Sequence, residues 1–177
     1  MLRAMAPPLE VVRLTALGDA DIAGLGAVLA DCVAGGASVS FMLPMTQEKA
    51  AAYWRALAPA VACGECIVLA ASDAHGICGT VSLNLRQPEN QPHRADVAKM
   101  LVHRRARRAG VGAALLAAAE EAARHARRTL LVLDTASADA ERVYARAGWT
   151  LVGEIPDYAL WPGGGLCPTR VFYKKLG

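Results

Sequence analysis

The chain reads as a single α/β domain with a mixed central sheet of about seven strands flanked by about four helices. Three observations predict this. Hydrophobic periodicity switches repeatedly between helical stripes and short strand-like runs, in the order β-α-α-β-β-β-α-β-α-β-β. The length of 177 residues suits one domain with a substantial core, and 54% hydrophobic against 20% charged residues is a globular composition. A glycine turn in the second half joins a strand to a helix, the junction expected of a β-α-β unit.

The elements follow in order. Residues 1–8 form a flexible, proline-broken tail, too short for a signal segment, and 9–177 form the domain. Glu10–Leu14 is the first strand. Asp19–Val33 carries apolar residues at 22, 25, 28, 29, 32 and 33, a helical stripe with an acidic start that Gly35-Gly36 breaks. A second helix runs from an N-cap at Thr46 to Ala62, with Pro59 kinking its last turns. Cys66–Ala71 is continuously apolar and Ile77–Leu85 alternates; the turn residues of Ser72–Gly76 make them a hairpin.

Gln87–His93 is a polar loop and Arg94–Val102 the next strand. A helix from 110 to about 126 has apolar residues at 111, 115, 118, 119 and 122, which leaves Glu120, Glu121 and Arg124 outside. Thr129–Asp134 is an apolar strand ending in a carboxylate, and Asp139–Ala147 a helix stopped by Gly148. Trp149–Glu154 and Val171–Lys174 are the last strands, separated by a Pro/Gly-rich loop over 156–168.

Composition excludes several functions. The net charge is only +3, and aromatics make up 5% of the chain without interleaving with the arginines, so nucleic acid is not the partner. No apolar run approaches the roughly 18 residues of a membrane span. Five cysteines are an odd number for a disulfide framework and point to a reduced, cytoplasmic protein. Cys63 and Cys66 have C-x-x-C spacing but join a helix to a strand, away from any helix N-terminus that would activate a thiol, and no second pair completes a zinc site. His75, His93, His103 and His125 lack ligand spacing and belong on the solvated surface, so no metal is expected.

The most informative segment is Lys99–Leu116. Its strand ends at Val102, a basic loop follows, and the next helix starts on Gly110. A helix N-terminus offers unpaired N–H groups and the positive end of the dipole. Arg104, Arg105, Arg107 and Arg108 surround that point, and Gly110 and Gly112 let an anion approach the backbone. A P-loop would need Lys-Ser/Thr after the glycines, and a dinucleotide fingerprint would need a third glycine at Leu115; neither is present.

Arg107-x-x-Gly110-x-Gly112 instead resembles the R/Q-x-x-G-x-G/A loop of the GNAT acetyltransferases, as do the strand before it, the helix after it and Tyr144-x-x-x-Gly148-Trp149. Gly35–Met42, Arg94–Val97 with Lys99, Leu133–Thr135, Gly153–Tyr158 and Pro168-Thr169 through Tyr173–Gly177 are similar to the toxin-resistance branch that includes the tabtoxin resistance protein.

That resemblance implies acetyl-CoA as the donor. Its pyrophosphate is expected on the backbone of Arg108, Ala109, Gly110, Val111, Gly112 and Ala113, with Arg105, Arg107 or Arg108 adding charge. The pantetheine arm is expected along Met100, Leu101 and Val102, where β-strands splay apart, and Ser137 stands where many relatives carry an Asn that contacts the cofactor. Asp96 and Asp134 match the positions of the branch's general bases, Asp96 being one methylene shorter than the glutamate usual there. Tyr144 matches the general acid near the sulfur, a backbone N–H of Leu101 or Val102 the oxyanion donor. Strand periodicity puts Asp96 on one face with Ala98, Met100 and Val102, and Trp161 is a candidate wall of the acceptor site.

The resulting expectation is a cytoplasmic N-acetyltransferase acting on a small-molecule amine, amino-acid-like or antibiotic-like, by direct transfer, with a homodimer formed through the C-terminal strands. The competing reading is a non-catalytic acyl-CoA-binding module, favoured only by the shortened Asp96.

Overall fold

In the computed structural model, which describes residues 9–177, the strands are β1 Glu10–Leu14, β2 Cys66–Asp73, β3 Gly76–Asn84, β4 Arg94–Val102, β5 Leu130–Thr135, β6 Thr150–Leu160 and β7 Leu166–Lys175. The helices are α1 Asp19–Ala34, α2 Gln47–Ala62, α3 Val111–His125 and α4 Ala138–Arg146, with a 3₁₀ turn at Arg104–Ala106. The element order is the expected one. The expected tail, 1–8, lies outside the described residues.

The seven strands form one sheet in the order β1-β2-β3-β4-β5-β7-β6. β4 and β5 run parallel and their neighbours pair antiparallel, so the sheet is mixed. α1 and α2 cover one face, burying Leu25, Leu29 and Trp54 against Val68 and Leu101. On the other face, α3 and α4 bury Leu115, Leu116 and Tyr144 against Leu83, Leu131 and Phe172.

Local chemistry accounts for most boundaries. All six apolar positions of the α1 stripe are buried. Thr46 caps α2, its Oγ1 accepting the Lys49 N–H at 3.1 Å, and Pro59 is contained within the last turn. Gly148, at φ 77°, follows α4 in the left-handed region that ends helices.

Two expectations are corrected. Glu120 is buried, not solvent-facing: its Oε1 accepts from Trp149 Nε1 at 3.0 Å and its Oε2 from Lys174 Nζ at 2.7 Å. The apolar stripe of α3 is wider than the periodicity showed, and Glu120 falls where α3 meets β7 and the end of α4. Paired there, a carboxylate is tolerated in the interior. The segment 156–168 is not a loop. β6 continues to Leu160 and β7 begins at Leu166, joined by a tight glycine-rich turn. The register slips between Ile155 and Ala159, so Pro156 is absorbed in a bulge at the sheet edge, where a missing N–H disrupts least.

Candidate active site

β4 and β5 pair only from Arg94–Asp96 against Leu130–Val132. Beyond that point β4 stays with β3 and β5 stays with β7, and a gap opens between them. The backbone of Met100, Leu101 and Val102 borders this gap with no β5 partner, which leaves polar groups for an extended ligand to satisfy.

A bulge lies in the same stretch. Thr80 is opposite Leu101 and Ser82 opposite Ala98, so Lys99 and Met100 together face Val81. Lys99 adopts φ 51°, in the left-handed region. One extra residue inverts the alternation of side chains. Ala95 and Val97 pack into the α3-side core, as do Met100 and Val102, whereas Leu101 packs under α1 and α2. Asp96 therefore does not share a face with Met100 and Val102 as strict alternation predicts. It shares the α1–α2 face with Asp134, since Leu131 and Leu133 of β5 point to α3.

At the end of β4 the chain turns into α3. Arg108 and Gly110 both have positive φ, 62° and 79°, and Gly110 is the N-cap of a helix that no side chain caps. The N–H groups of Val111, Gly112 and Ala113 are thus the orphan donors of the first turn. A Cβ built on Gly112 would come to 3.8 Å from Met100 Cε, 3.9 Å from Val102 Cγ2 and 4.0 Å from Val143 Cγ2. The glycine keeps a cradle open between β4, α3 and α4.

The arginines divide into two groups. Arg104 binds Asp31, its backbone N–H at 2.8 Å and its Nε at 2.9 Å. Arg105 binds Asp73 through Nε at 3.1 Å and the Ile77 carbonyl through Nη2 at 3.0 Å, so it braces the β2–β3 hairpin where a free phosphate ligand was expected. The Arg107 side chain contacts the Val102 carbonyl at 3.4 Å and lies beside the Cys32 thiol, and Arg108 is exposed; these two face an incoming anion with few commitments among the described residues. His103 is half-buried, not a surface residue: its Nδ1 accepts the Arg105 N–H at 3.2 Å and lies 3.5 Å from Asp31.

On the α1–α2 side, the gap opens into a cavity of about 240 Å³ whose lining includes Ser38, Ser40, Lys99, Asp134, Tyr158 and Thr169. Asp134 is exposed there and accepts a 2.8 Å hydrogen bond from Thr169 Oγ1. Asp96 lies outside this lining, with Gln87 Nε2 at 3.1 Å and Arg94 Nη2 at 3.4 Å on its Oδ2. Tyr144 is buried, its ring 5.7 Å from those of Trp149 and Phe172. Burial, then the nearby charge of Asp134, pushes its phenol well above the ordinary value, so it keeps its proton at neutral pH. Ser137 caps α4, its Oγ accepting the Ala140 N–H at 3.3 Å. Trp161 stands in the β6–β7 turn and is not among the residues lining the cavity; Tyr158 takes the place expected of it.

Residues 27–149 match the model of the acetyltransferase (GNAT) family. The chain belongs to this family. Acetyl-CoA is the donor that goes with that membership. Among solved structures, the fold is similar to that of yncA from Salmonella typhimurium with its cofactor acetyl-CoA, at 16% identity, 96% of this chain, 95% of that one and a TM-score of 0.76. It is similar to ribosomal-protein-alanine N-acetyltransferase from Brucella melitensis at 21% identity, 93% and 99% coverage and a TM-score of 0.76. A GCN5-related N-acetyltransferase from Kribbella flavida matches at 22% identity, 95% and 98% coverage and a TM-score of 0.73.

The acetyltransferase's own residues fit that donor. An uncapped helix start beside Arg107 and Arg108, an open cradle at Gly112 and an unpaired strand edge at 100–102 would hold a diphosphate and an extended amide-bearing arm. Sequence reasoning did not single out Lys99 and Thr169 as site residues. Thr169 enters because β7 pairs with β5, and Lys99 because the bulge re-aims it. Among the described residues, no group of three or more His, Cys, Asp or Glu is placed to hold a metal. No described helix is long and apolar enough to cross a membrane.

Proposed function

We propose that this acetyltransferase is an N-acetyltransferase that moves the acetyl group of acetyl-CoA directly to the amine of a small molecule. The observation that carries the proposal is the gap between β4 and β5. The anion-binding turn lies on its α3 side and the Asp134 cavity on its α1–α2 side, so donor and acceptor approach from opposite faces.

The thioester supplies an activated acyl carbon; the chain supplies the proton transfers. Asp134, oriented by Thr169, takes the proton of the acceptor's ammonium so that a neutral amine attacks. Backbone N–H groups of Leu101 or Val102 steady the charge that develops on the carbonyl oxygen. Tyr144, the general-acid candidate, is protonated at neutral pH and steadies the departing thiolate as a hydrogen-bond donor, the thiolate then taking its proton from solvent. Asp96 supplies a second carboxylate on the same face and acts from outside the cavity, through solvent. The transfer needs no covalent enzyme intermediate.

The N-acetyltransferase names of two structural neighbours support an amine acceptor. Similarity to the tabtoxin-resistance branch supports an amino-acid-like or antibiotic-like one. Free thiols at Cys32, Cys63, Cys66, Cys78 and Cys167 support a reducing, cytoplasmic location. A homodimer is supported by the edge strand β6, which exposes Leu151, Val152 and Ile155. The test is CoA-thiol release with amino acids, polyamines and aminoglycosides as acceptors. Release with at least one of them supports the enzyme reading. Tight acetyl-CoA binding with no release for any acceptor refutes it and favours the non-catalytic module.

A further inference from the structure

We propose that Lys99 is a specificity-determining residue: its ammonium binds a carboxylate of the acceptor whose amine is presented to Asp134. The acceptor is then an amino acid or a close analogue with a free carboxylate. The inference rests on the N-acetyltransferase reading above and deepens it.

The bulge in β4 is what aims Lys99. With φ 51° and an extra residue opposite Val81, the strand turns this side chain toward the cavity that Asp134 also lines. Its Nζ lies 3.3 Å from Ser40 Oγ, 5.6 Å from the centre of the Phe41 ring and 5.4 Å from that of Tyr53. Those two rings meet edge-on at 5.4 Å, forming an aromatic wall that locates the ammonium without neutralising it.

No ion pair among the described residues includes Lys99. Burial lowers its pKa from the ordinary lysine value, and the charge of Asp134 opposes that shift only in part. Lys99 is half-buried, and a partly desolvated ammonium with no contacting anion keeps its charge available to a ligand. It has three N–H donors and one oxygen acceptor in contact. An anionic group in the cavity would supply what is missing.

The rest of the cavity says which anion. Lys99 and Asp134 carry opposite charges in one cavity lining and form no ion pair with each other. That is the complement of a zwitterion, with the acceptor's carboxylate at Lys99 and its ammonium at Asp134. A phosphate dianion would meet the repulsion of Asp134 and only one cation. A polyamine or aminoglycoside would bring further positive charge against Lys99.

The experiment compares the twenty standard L-amino acids with their primary amides as acceptors, in wild type, Lys99→Gln and Lys99→Arg. Neither substitution changes branching at Cβ, so the left-handed backbone at 99 is no more strained than in wild type. In wild type, the best amino acid should exceed its amide in kcat/KM by about tenfold to a hundredfold, the worth of one charge-assisted hydrogen bond. Lys99→Gln should bring that ratio toward one by raising KM for the acid, and Lys99→Arg should retain most of it. An equal loss for acid and amide in Lys99→Gln overturns the proposal. Release of CoA with polyamines or aminoglycosides but with no amino acid overturns it while the N-acetyltransferase reading stands. Release with no amine at all, in a protein that binds acetyl-CoA, overturns both.

Discussion

Replacing Asp134 with Asn removes one negative charge and keeps the shape of the side chain. The amide oxygen retains an acceptor for Thr169 Oγ1, whose bond spans 2.8 Å, so the β5–β7 ladder that positions it should be undisturbed. At an exposed position a stability change within about 0.5 kcal/mol is expected. The rate is another matter. A positioned base contributes about 10²–10⁴-fold, or about 2.7–5.4 kcal/mol of barrier at ~1.36 kcal/mol per decade. Because Asp134 is exposed, water competes as proton acceptor, and the lower half of that range applies: a fall in kcat of about 100- to 1,000-fold. Donor binding should be unchanged, because the Gly110–Ala113 turn lies on the α3 side of the sheet and Asp134 on the other. The assay is CoA-thiol release at saturating acetyl-CoA, with donor affinity measured in parallel by calorimetry. A kcat within about threefold of wild type, less than 1 kcal/mol of barrier, with intact donor affinity would refute the assignment of Asp134 as base.

Other outcomes follow from the same geometry. Gly112→Phe should abolish acetyl-CoA binding, whereas Gly112→Ala should keep much of it, because a lone Cβ meets its neighbours only at 3.8–4.0 Å; calorimetry showing equal loss in both would contradict the cradle. Glu120→Ala leaves Trp149 Nε1 and Lys174 Nζ without their shared carboxylate and should destabilise the fold by about 3 kcal/mol, or roughly 6–12 °C in Tm, readable by thermal and urea unfolding. Acid stability should reflect Asp31 and Asp73. Burial raises the Asp31 carboxyl, but hydrogen bonds from Arg104 outweigh it and hold the group below 3.8; the Arg105 hydrogen bond does the same for Asp73. A carboxyl depressed in the folded state contributes stability that is complete above its unfolded value and lost as pH falls through its folded one. Stability should therefore drop below about pH 3.8, and less steeply in Asp31→Asn, by urea titration across that range.

The elements were legible in the sequence wherever burial repeats with a local period. The stripe at 22, 25, 28, 29, 32 and 33 is buried in full, and Thr46 caps where it should. The α3 turn was legible for the same reason: orphan N–H groups, glycines and arginines lie within a dozen residues of one another. The β6–β7 hairpin was not, because Pro156 argues for a loop until a bulge at the sheet edge absorbs it. Glu120 was misplaced because its partners, Trp149 and Lys174, are 29 and 54 residues away.

By itself, then, the sequence determined the layered α/β order and the kind of donor, since both are written in short, contiguous patterns. Tertiary structure decided the proposed acceptor side. Its cavity is assembled from residues 38–40, 97–99, 134, 136, 158–159 and 167–169, which meet only after α1, β4, β5 and the last hairpin have packed. One inserted residue in β4 separated Asp96 from the face of Met100 and turned Lys99 toward Asp134. A two-residue period cannot announce its own interruption, because the bulge depends on pairing with β3, a partner that the β4 segment does not contain.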